Sequence, residues 1–291
     1  MVYKLFFLLY IQEVIEINNS KNKLSTISNT ENKTFNENGY IVRKNVIQQS
    51  LIESVINTFI KFCIKLGGKQ FDQFEHLNSL DCVDFNRRLL DLREKKPLIF
   101  GAIYDTMQTT LSMQKIALSK NILKDVCKLL DAPMDNLMCF NYLFRMDPPM
   151  CNRNKLDWHQ DFITYDQVDM SDGLTAWIPL IDIPQTLGPL KALKKSHLDG
   201  KAANYDINQN ISIDKLSSHK HNINKDIIDK YTSLSLPVEL GDVIYISMNL
   251  IHASGDNISN KIRFSGQGRF YNILSDTFPP GRTQFMKSKL F

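Results

Sequence analysis

The stretch LPVELGDVIYISMNLIHASGDNISNKIRFSGQGRFYNI, residues 236–273, decides the fold class of this chain. It contains short runs rich in β-branched and aromatic residues, separated by the Gly, Asp and Asn residues typical of turns. Two upstream segments have the same kind of composition. The five β-rich runs are Met138–Met146, Leu174–Ile183, Leu236–Leu240, Val243–Met248 and Arg263–Ile273. Several short strands at this spacing predict an antiparallel sandwich or barrel.

The first half of the chain has a helical pattern instead. Apolar residues recur three and four positions apart over residues 51–63, and the pattern ends at Gly67-Gly68. Ser50 and Glu53 have the spacing of a capping box, so we expect the helix to begin there. Further helical patterns cover about 86–95, 97–112 and 120–130, and a strand is predicted at Gly39–Ile47. The predicted fold class is therefore mainly β with flanking α-helices.

We expect one domain over residues 36–291, preceded by an N-terminal segment and polar linker over residues 1–35. The apolar run LFFLLYI (5–11) is far shorter than the roughly 20 residues that span a bilayer. It is interpreted as a docked strand or short helix, with contact to a lipid surface as the weaker alternative, so no stable membrane insertion is expected. Residues 200–235 form a long polar insertion, which we interpret as a possible lid over a site.

The overall composition is that of an ordinary globular protein. The 291 residues are 43% hydrophobic and 23% charged, with a net charge of +4, which lacks the dense positive charge of a dedicated nucleic-acid binder. The five cysteines form no C-x-x-C pair. That pattern argues against a disulfide scaffold or a cysteine-rich zinc module and favours a reducing, cytoplasmic location. The oligomeric state is left open.

Three residues have the chemistry of a metal site. His159 and Asp161 lie two positions apart in DWHQDF, and in an extended segment both side chains point to one face. His252 follows the predicted strand Val243–Met248. Two imidazoles and one carboxylate on one face of an octahedral metal ion leave three positions open, as in non-haem Fe(II) oxygenases. A catalytic zinc ion can use the same ligand types, so these residues alone do not fix the metal.

Arg263 is the next candidate. A turn within Ala253–Lys261 would return the chain on an adjacent antiparallel strand and bring Arg263 near the metal. A guanidinium at that place can bind a carboxylate through two parallel hydrogen bonds. A 2-oxo acid could then chelate iron at one end and contact Arg263 at the other.

An ordered series of motifs resembles the phytanoyl-CoA dioxygenase family of Fe(II)/2-oxoglutarate-dependent oxygenases. The motifs are LDWHQDF (156–162), TAWIPL (175–180), GPL (188–190), Ser196-His197, Gly241-Asp242 and HASGDNISNKIR (252–263). The resemblance covers roughly residues 39–272 and implies a double-stranded β-helix, the cupin-like jelly-roll, with helices packed outside. The chain departs from the family at Lys194-Lys195, where Pro-Gly is usual, and at Leu187, where Asn is common. These positions bear on the substrate rather than on iron.

The resemblance also assigns roles to individual residues. It implies that His159, Asp161 and His252 bind Fe(II), and that Arg263 binds the distal carboxylate of 2-oxoglutarate, assisted by Ser254. Trp177 would line the co-substrate pocket. The implied activity, with O2 as the second co-substrate, is hydroxylation of an unactivated C–H bond in a small-molecule or lipid-like substrate, with release of succinate and CO2. The alternative from another class is a non-catalytic jelly-roll metal-binding or sensor protein.

Overall fold

The computed structural model describes residues 26–151, 155–161, 172–200, 202 and 223–278. Within these ranges the chain forms seven α-helices and eight β-strands. The helices are α1 (Asn29–Asn38), α2 (Gln49–Gly67), α3 (Val83–Lys95), α4 (Pro97–Met107), α5 (Leu111–Ala117), α6 (Lys120–Leu129) and α7 (Lys225–Ile228). The strands are β1 (Tyr40–Arg43), β2 (Leu137–Asp147), β3 (Gly173–Pro179), β4 (Leu190–Leu193), β5 (Ser233–Leu236), β6 (Val243–Ser247), β7 (His252–Ala253) and β8 (Arg263–Asn272). Short 3-10 helices lie at Lys69–Phe74, Met134–Asn136 and Ser196–Asp199.

The strands form two antiparallel sheets. The larger has the order β1-β6-β3-β8-β2, and the smaller has the order β5-β4-β7. One buried apolar cluster includes Trp177 and Ile244 from the large sheet and Leu190 and Ala192 from the small one. Two antiparallel sheets that share a core form the predicted sandwich, and the mainly β class with flanking helices is confirmed.

Strand β8 shows how the large sheet separates its two faces. One set of alternate residues is apolar or Gly and lies against helices: the Phe264 ring is 5.6 Å from that of Phe59 on α2, centroid to centroid. A Cβ atom on Gly266 would lie 2.7 Å from Cε of Met113 on α5, so glycine allows close approach of this helix. The other set of alternate residues is polar: Arg263, Ser265 and Gln267 are buried, and Arg269 is partly buried. This polar row lies on the inner face, and the site described below is built on it.

Helix α2 matches its predicted apolar stripe but not its predicted start. Ile52, Val55 and Phe59 are among its buried residues, and the helix ends at Gly67. It begins at Gln49 after Gln48, whose side chain makes no capping hydrogen bond. The predicted capping box at Ser50 is therefore wrong, because Ser50 already lies within the first helical turn.

The segment interpreted as a polar linker contains a helix. Ser28 caps α1, and its hydroxyl accepts from the Glu31 backbone N–H while the Glu31 carboxylate accepts from the Ser28 N–H. Phe35 is buried, and Gly39 ends the helix with φ of 81°. The linker prediction is thus wrong over residues 29–35, where two caps and one buried aromatic outweigh the polar composition. The apolar run at 5–11 lies outside the described residues.

The predicted lid falls mostly on residues 203–222, outside the described part of the chain. Its described end contains α7, followed by β5. Among the described helices none is both long and apolar enough to cross a membrane. All five cysteines carry free thiols.

Candidate metal and co-substrate site

Two distant segments meet as a short antiparallel pair and bring two histidines together. The backbone N–H of His159 donates to the carbonyl oxygen of His252, and the reverse bond also forms, each at 2.9 Å. On either side, Ser254 N donates to Leu156 O at 2.9 Å and Asp161 N donates to Met248 O at 3.1 Å. This register places the two imidazole rings 4.2 Å apart, centroid to centroid.

The predicted metal-ligand residues converge. Nε2 of His159 lies 3.6 Å from Oδ1 of Asp161, and Nε2 of His252 lies 3.7 Å from Oδ2. One donor atom from each residue can be chosen so that all three lie within 4.8 Å of one another. All three residues are buried. A single divalent ion fits such a group of donors.

Hydrogen bonds set the tautomer of both imidazoles. Nδ1 of His159 lies 2.7 Å from the carbonyl oxygen of Asp157, and Nδ1 of His252 lies 3.0 Å from that of Leu250. Because a carbonyl oxygen only accepts, each Nδ1 must carry the proton. Both Nε2 lone pairs are therefore directed to the metal position, the arrangement usual for metal-binding histidines.

The electrostatic environment favours the unprotonated forms of His252 and Asp161. Burial, together with the nearby His159, lowers the pKa of His252 to about 4. Burial alone would raise the pKa of Asp161, but attraction from Arg269 and the two imidazoles outweighs it and lowers the pKa well below the usual range. At neutral pH the site thus offers the neutral imidazole of His252 and the carboxylate of Asp161.

Both oxygens of the Asp161 carboxylate are held by neighbouring side chains. The Thr175 hydroxyl donates to Oδ2 at 2.7 Å, and Nη2 of Arg269 donates to Oδ1 at 2.5 Å. Thr175 and Arg269 are direct cross-strand neighbours in the β3–β8 pair. The inner face of the large sheet therefore fixes the orientation of this carboxylate.

Arg263 lies in the same pocket and is paired with the protein's own carboxylate. Its Nε and Nη2 donate to Oδ2 of Asp147 at 3.2 and 2.8 Å, and Nη1 donates to the carbonyl oxygen of Gly188. Asp147 also accepts from Nη2 of Arg145 at 2.9 Å. These contacts use three of the five N–H groups of Arg263, so two remain for a ligand.

The route by which Arg263 reaches the pocket differs from the prediction. His252 lies on β7 in the small sheet, whereas Arg263 begins β8 in the large sheet, next to β2 and β3. The expected adjacent antiparallel pair between these segments is therefore wrong. The connection crosses from one sheet to the other, and the site lies between them.

The remaining predicted residues line the same pocket. Ser254 follows β7, and its hydroxyl oxygen accepts from the Leu156 N–H at 3.2 Å. Trp177 is 5% exposed on β3 and belongs to the core as well as to the pocket wall. The wall consists of Arg145, Leu156, His159, Asp161, Thr175, Trp177, Leu190, Ile246, His252, Ala253, Ser254, Arg263 and Gln267.

The other described histidines lie outside this pocket. His197 is bonded through Nε2 to the carbonyl oxygen of Asn36, at 2.9 Å, and so supports the end of α1. The preceding Ser196 hydroxyl accepts from the Ile251 N–H. His76 is exposed. His219 and His221 lie outside the described residues.

Sequence reasoning missed several polar residues of the site, notably Arg145, Asp147, Thr175 and Arg269. Each lies on a strand of the large sheet, at an alternate position that faces inward. The signal was present in β8, where polar residues alternate with Phe and Gly. That alternation identifies a polar face but does not identify the carboxylates opposite it.

Solved structures share this fold. The chain aligns with the carbocyclase SnoK from nogalamycin biosynthesis at 16% identity and a TM-score of 0.56, covering 86% of this chain and 87% of that one. EctD from S. alaskensis, crystallised with 2-oxoglutarate and 5-hydroxyectoine, aligns at 14% identity and a TM-score of 0.54, covering 92% and 86%. The epimerase SnoN, in complex with Fe3+, alpha ketoglutarate and nogalamycin RO, aligns at 16% identity and a TM-score of 0.56, covering 87% of this chain and 86% of that one. No curated protein sequence matches the chain.

A jelly-roll whose two sheets enclose two imidazoles and a carboxylate is the architecture of non-haem iron oxygenases. The model of the phytanoyl-CoA dioxygenase family matches residues 35–265. The chain belongs to this family, and the resemblance drawn from its motifs is confirmed.

Proposed function

We propose that the protein is an Fe(II)- and 2-oxoglutarate-dependent hydroxylase of a small-molecule or lipid-like substrate. The observation that carries this proposal is the convergence of His159, Asp161 and His252 in one buried group, with Arg263 in the wall of the same pocket. Family membership supports the oxygenase class. The hydroxylation outcome and the roles of individual residues are our inference.

The donor set suits Fe(II). Nε2 of His159, Nε2 of His252 and one oxygen of Asp161 would hold the ion, a ligand set that is typical of non-haem Fe(II) oxygenases. When bound, iron with 2-oxoglutarate and O2 supplies the oxidising power to remove hydrogen from a C–H bond and return a hydroxyl, with release of succinate and CO2. The protein's task is to hold the ligands, orient the co-substrate and limit access of water.

The co-substrate would lie between the metal position and Arg263. The two N–H groups of Arg263 that are not used by Asp147 and Gly188 can donate to its distal carboxylate. Ser254 would assist with its hydroxyl hydrogen, because its oxygen already accepts from Leu156 N–H. Trp177 would close the side of the pocket.

Hydroxylation is one of several outcomes that this chemistry allows. SnoK is named a carbocyclase and SnoN an epimerase, whereas the EctD structure contains a hydroxylated compound. In our proposal the hydroxyl returns to the substrate carbon. The product would then be about 16 Da heavier than the substrate, the mass of one oxygen atom.

The deciding experiment is anaerobic addition of Fe(II) and 2-oxoglutarate to the folded protein. A weak visible charge-transfer band is expected only when both are present. A metabolite library is then screened in air for succinate release, with mass spectrometry of products. Folded protein that binds Fe(II) but gives no band with 2-oxoglutarate would instead support the non-catalytic metal-binding or sensor protein.

A further inference from the structure

Arg269 is a largely buried cation that touches a candidate metal ligand directly. Its side chain is 12% exposed, and its Nη2 lies 2.5 Å from Oδ1 of Asp161. Its Nε is buried and has no hydrogen-bond partner among the described residues. Burying a guanidinium is costly unless it is well paired, so packing alone does not account for this residue.

The contacts of Asp161 divide between a charged and a neutral donor. Arg269 holds Oδ1, and the Thr175 hydroxyl holds Oδ2. A hydroxyl leaves the carboxylate charge in place, whereas a guanidinium balances it. Asp161 at −1 and Arg269 at +1 sum to zero, and an imidazole adds no charge when it binds a metal through Nε2.

We propose that Arg269 is a positioning residue that holds Asp161 in place and balances its charge, so that the loaded metal site keeps the full +2 charge toward a dianionic co-substrate. This inference rests on the proposed function and deepens it. A cation next to a ligand carboxylate repels the metal but attracts the 2-oxo acid that binds afterwards. Arg269 thus favours co-substrate binding at some expense of metal binding.

The proposal predicts that removing the charge affects two affinities differently. In Arg269→Gln, Fe(II) affinity should change by less than about threefold, because loss of orientation and loss of repulsion oppose each other. The affinity of the Fe(II)-loaded protein for 2-oxoglutarate should fall by about tenfold or more, because a unit charge near the site is lost. Arg269→Lys keeps the charge and should retain 2-oxoglutarate affinity within about threefold of wild type.

The test uses anaerobic calorimetry with Fe(II) alone, followed by titration of 2-oxoglutarate into the loaded protein and readout of the visible band. Arg43→Gln is the matched control, because Arg43 is a buried arginine paired with Glu31 and Asp125 away from the pocket. It should lower thermal stability and leave both affinities unchanged.

Each outcome bears on a different claim. If Arg269→Gln binds 2-oxoglutarate as tightly as wild type, or loses Fe(II) and 2-oxoglutarate affinity together, the role of Arg269 is overturned while the proposed function stands. Failure of Arg269→Lys to restore binding also overturns it. Wild-type protein that binds Fe(II) but no 2-oxoglutarate overturns the proposed function, and this inference with it.

Discussion

Arg263 and Asp147 are direct partners across the β2–β8 pair, with Nη2 and Oδ2 2.8 Å apart. Asp147 also pairs with Arg145, so one carboxylate contacts two guanidiniums, of which that of Arg263 is buried. The candidate co-substrate arginine is therefore held rigidly before any ligand arrives. Three of its five N–H groups are used by Asp147 and Gly188.

Replacing Asp147 with Asn should strongly destabilise the fold. The variant keeps the shape of the side chain but removes the negative charge that contacts the guanidiniums of Arg145 and Arg263. Breaking a buried ion pair by removing one partner costs about 3–5 kcal/mol. Urea denaturation at pH 7 measures this loss. Asp84→Asn removes an exposed carboxylate from an ion pair with Arg87 on α3 and should cause little change. A loss of unfolding free energy in Asp147→Asn no larger than that in Asp84→Asn would contradict a stabilising role for the ion pairs of Asp147.

The same carboxylate should make stability depend on acid pH. Burial alone would raise the pKa of Asp147, but Arg145 and Arg263 outweigh it and lower the pKa below 3.8. Because the folded pKa is lowered, the stabilisation is present above about pH 4 and is lost as the pH falls through the folded value. The difference in unfolding free energy between wild type and Asp147→Asn should be constant from pH 7 to 5 and should shrink below pH 4. A difference that already shrinks between pH 7 and 5 would assign the effect to another group.

Replacing Arg263 with Ala should separate co-substrate binding from metal binding. Asp147 retains Arg145 as a partner, so the variant is expected to fold. Loss of a bidentate, charge-assisted contact should weaken 2-oxoglutarate binding by about 100-fold, while Fe(II) affinity changes by less than about threefold. Anaerobic titration of both ligands gives the two values. Arg145→Ala is the comparison, and a larger loss of 2-oxoglutarate affinity there would assign the distal carboxylate to Arg145.

Local patterns predicted the proximity of His159 and Asp161, because their relative geometry depends on short-range rules. His159 and Asp161 lie two apart in an extended segment, which places both side chains on one face. The passage of the chain from the small sheet at His252 to the large sheet at Arg263 was not predictable in the same way. A turn signal shows that the chain reverses but does not show which sheet the next strand joins.

The same limit explains Arg269 and the N-terminal helix. The alternation in β8 shows a polar face, but the partner of Arg269 is 108 positions away along the chain. In α1 the signals were local and present, since Ser28, Glu31 and Gly39 mark both ends. The polar composition around these capping signals outweighed them. Phe35 is the one buried residue of this helix, and one apolar residue does not make a periodic pattern.

Replacing His159 with Ala should remove metal binding while leaving the fold intact. A site with only one imidazole and one carboxylate should lose about 100-fold or more in Fe(II) affinity, since even indirect partners of metal ligands contribute 10–100-fold. Competition with a chelator under anaerobic conditions measures the change. His197→Ala is the matched control, because His197 bonds to Asn36 outside the pocket and should leave Fe(II) affinity unchanged. Equal loss in both variants would place the metal elsewhere or indicate unfolding.

Gly255 and Gly101 should respond to alanine in opposite directions. A Cβ atom on Gly255 would lie 2.2 Å from the carbonyl oxygen of Pro189. Because this neighbour is a backbone atom, it cannot move aside as the end of a flexible side chain can. The strain should cost about 1–3 kcal/mol. It should also weaken 2-oxoglutarate binding, because the neighbouring Gly188 carbonyl accepts from Arg263.

Gly101 lies within α4, and a Cβ atom there would meet nothing within 4 Å. Gly101→Ala should therefore stabilise the protein by about 0.5–1 kcal/mol, because alanine has the better helix propensity and loses less backbone entropy on folding. Urea denaturation of both variants measures the free energy of unfolding, which should fall in Gly255→Ala and rise in Gly101→Ala. A Gly255→Ala variant as stable as wild type would show that the backbone at Gly255 and the Gly188–Pro189 segment can move apart. It would also show that their contact does not hold Arg263 in place.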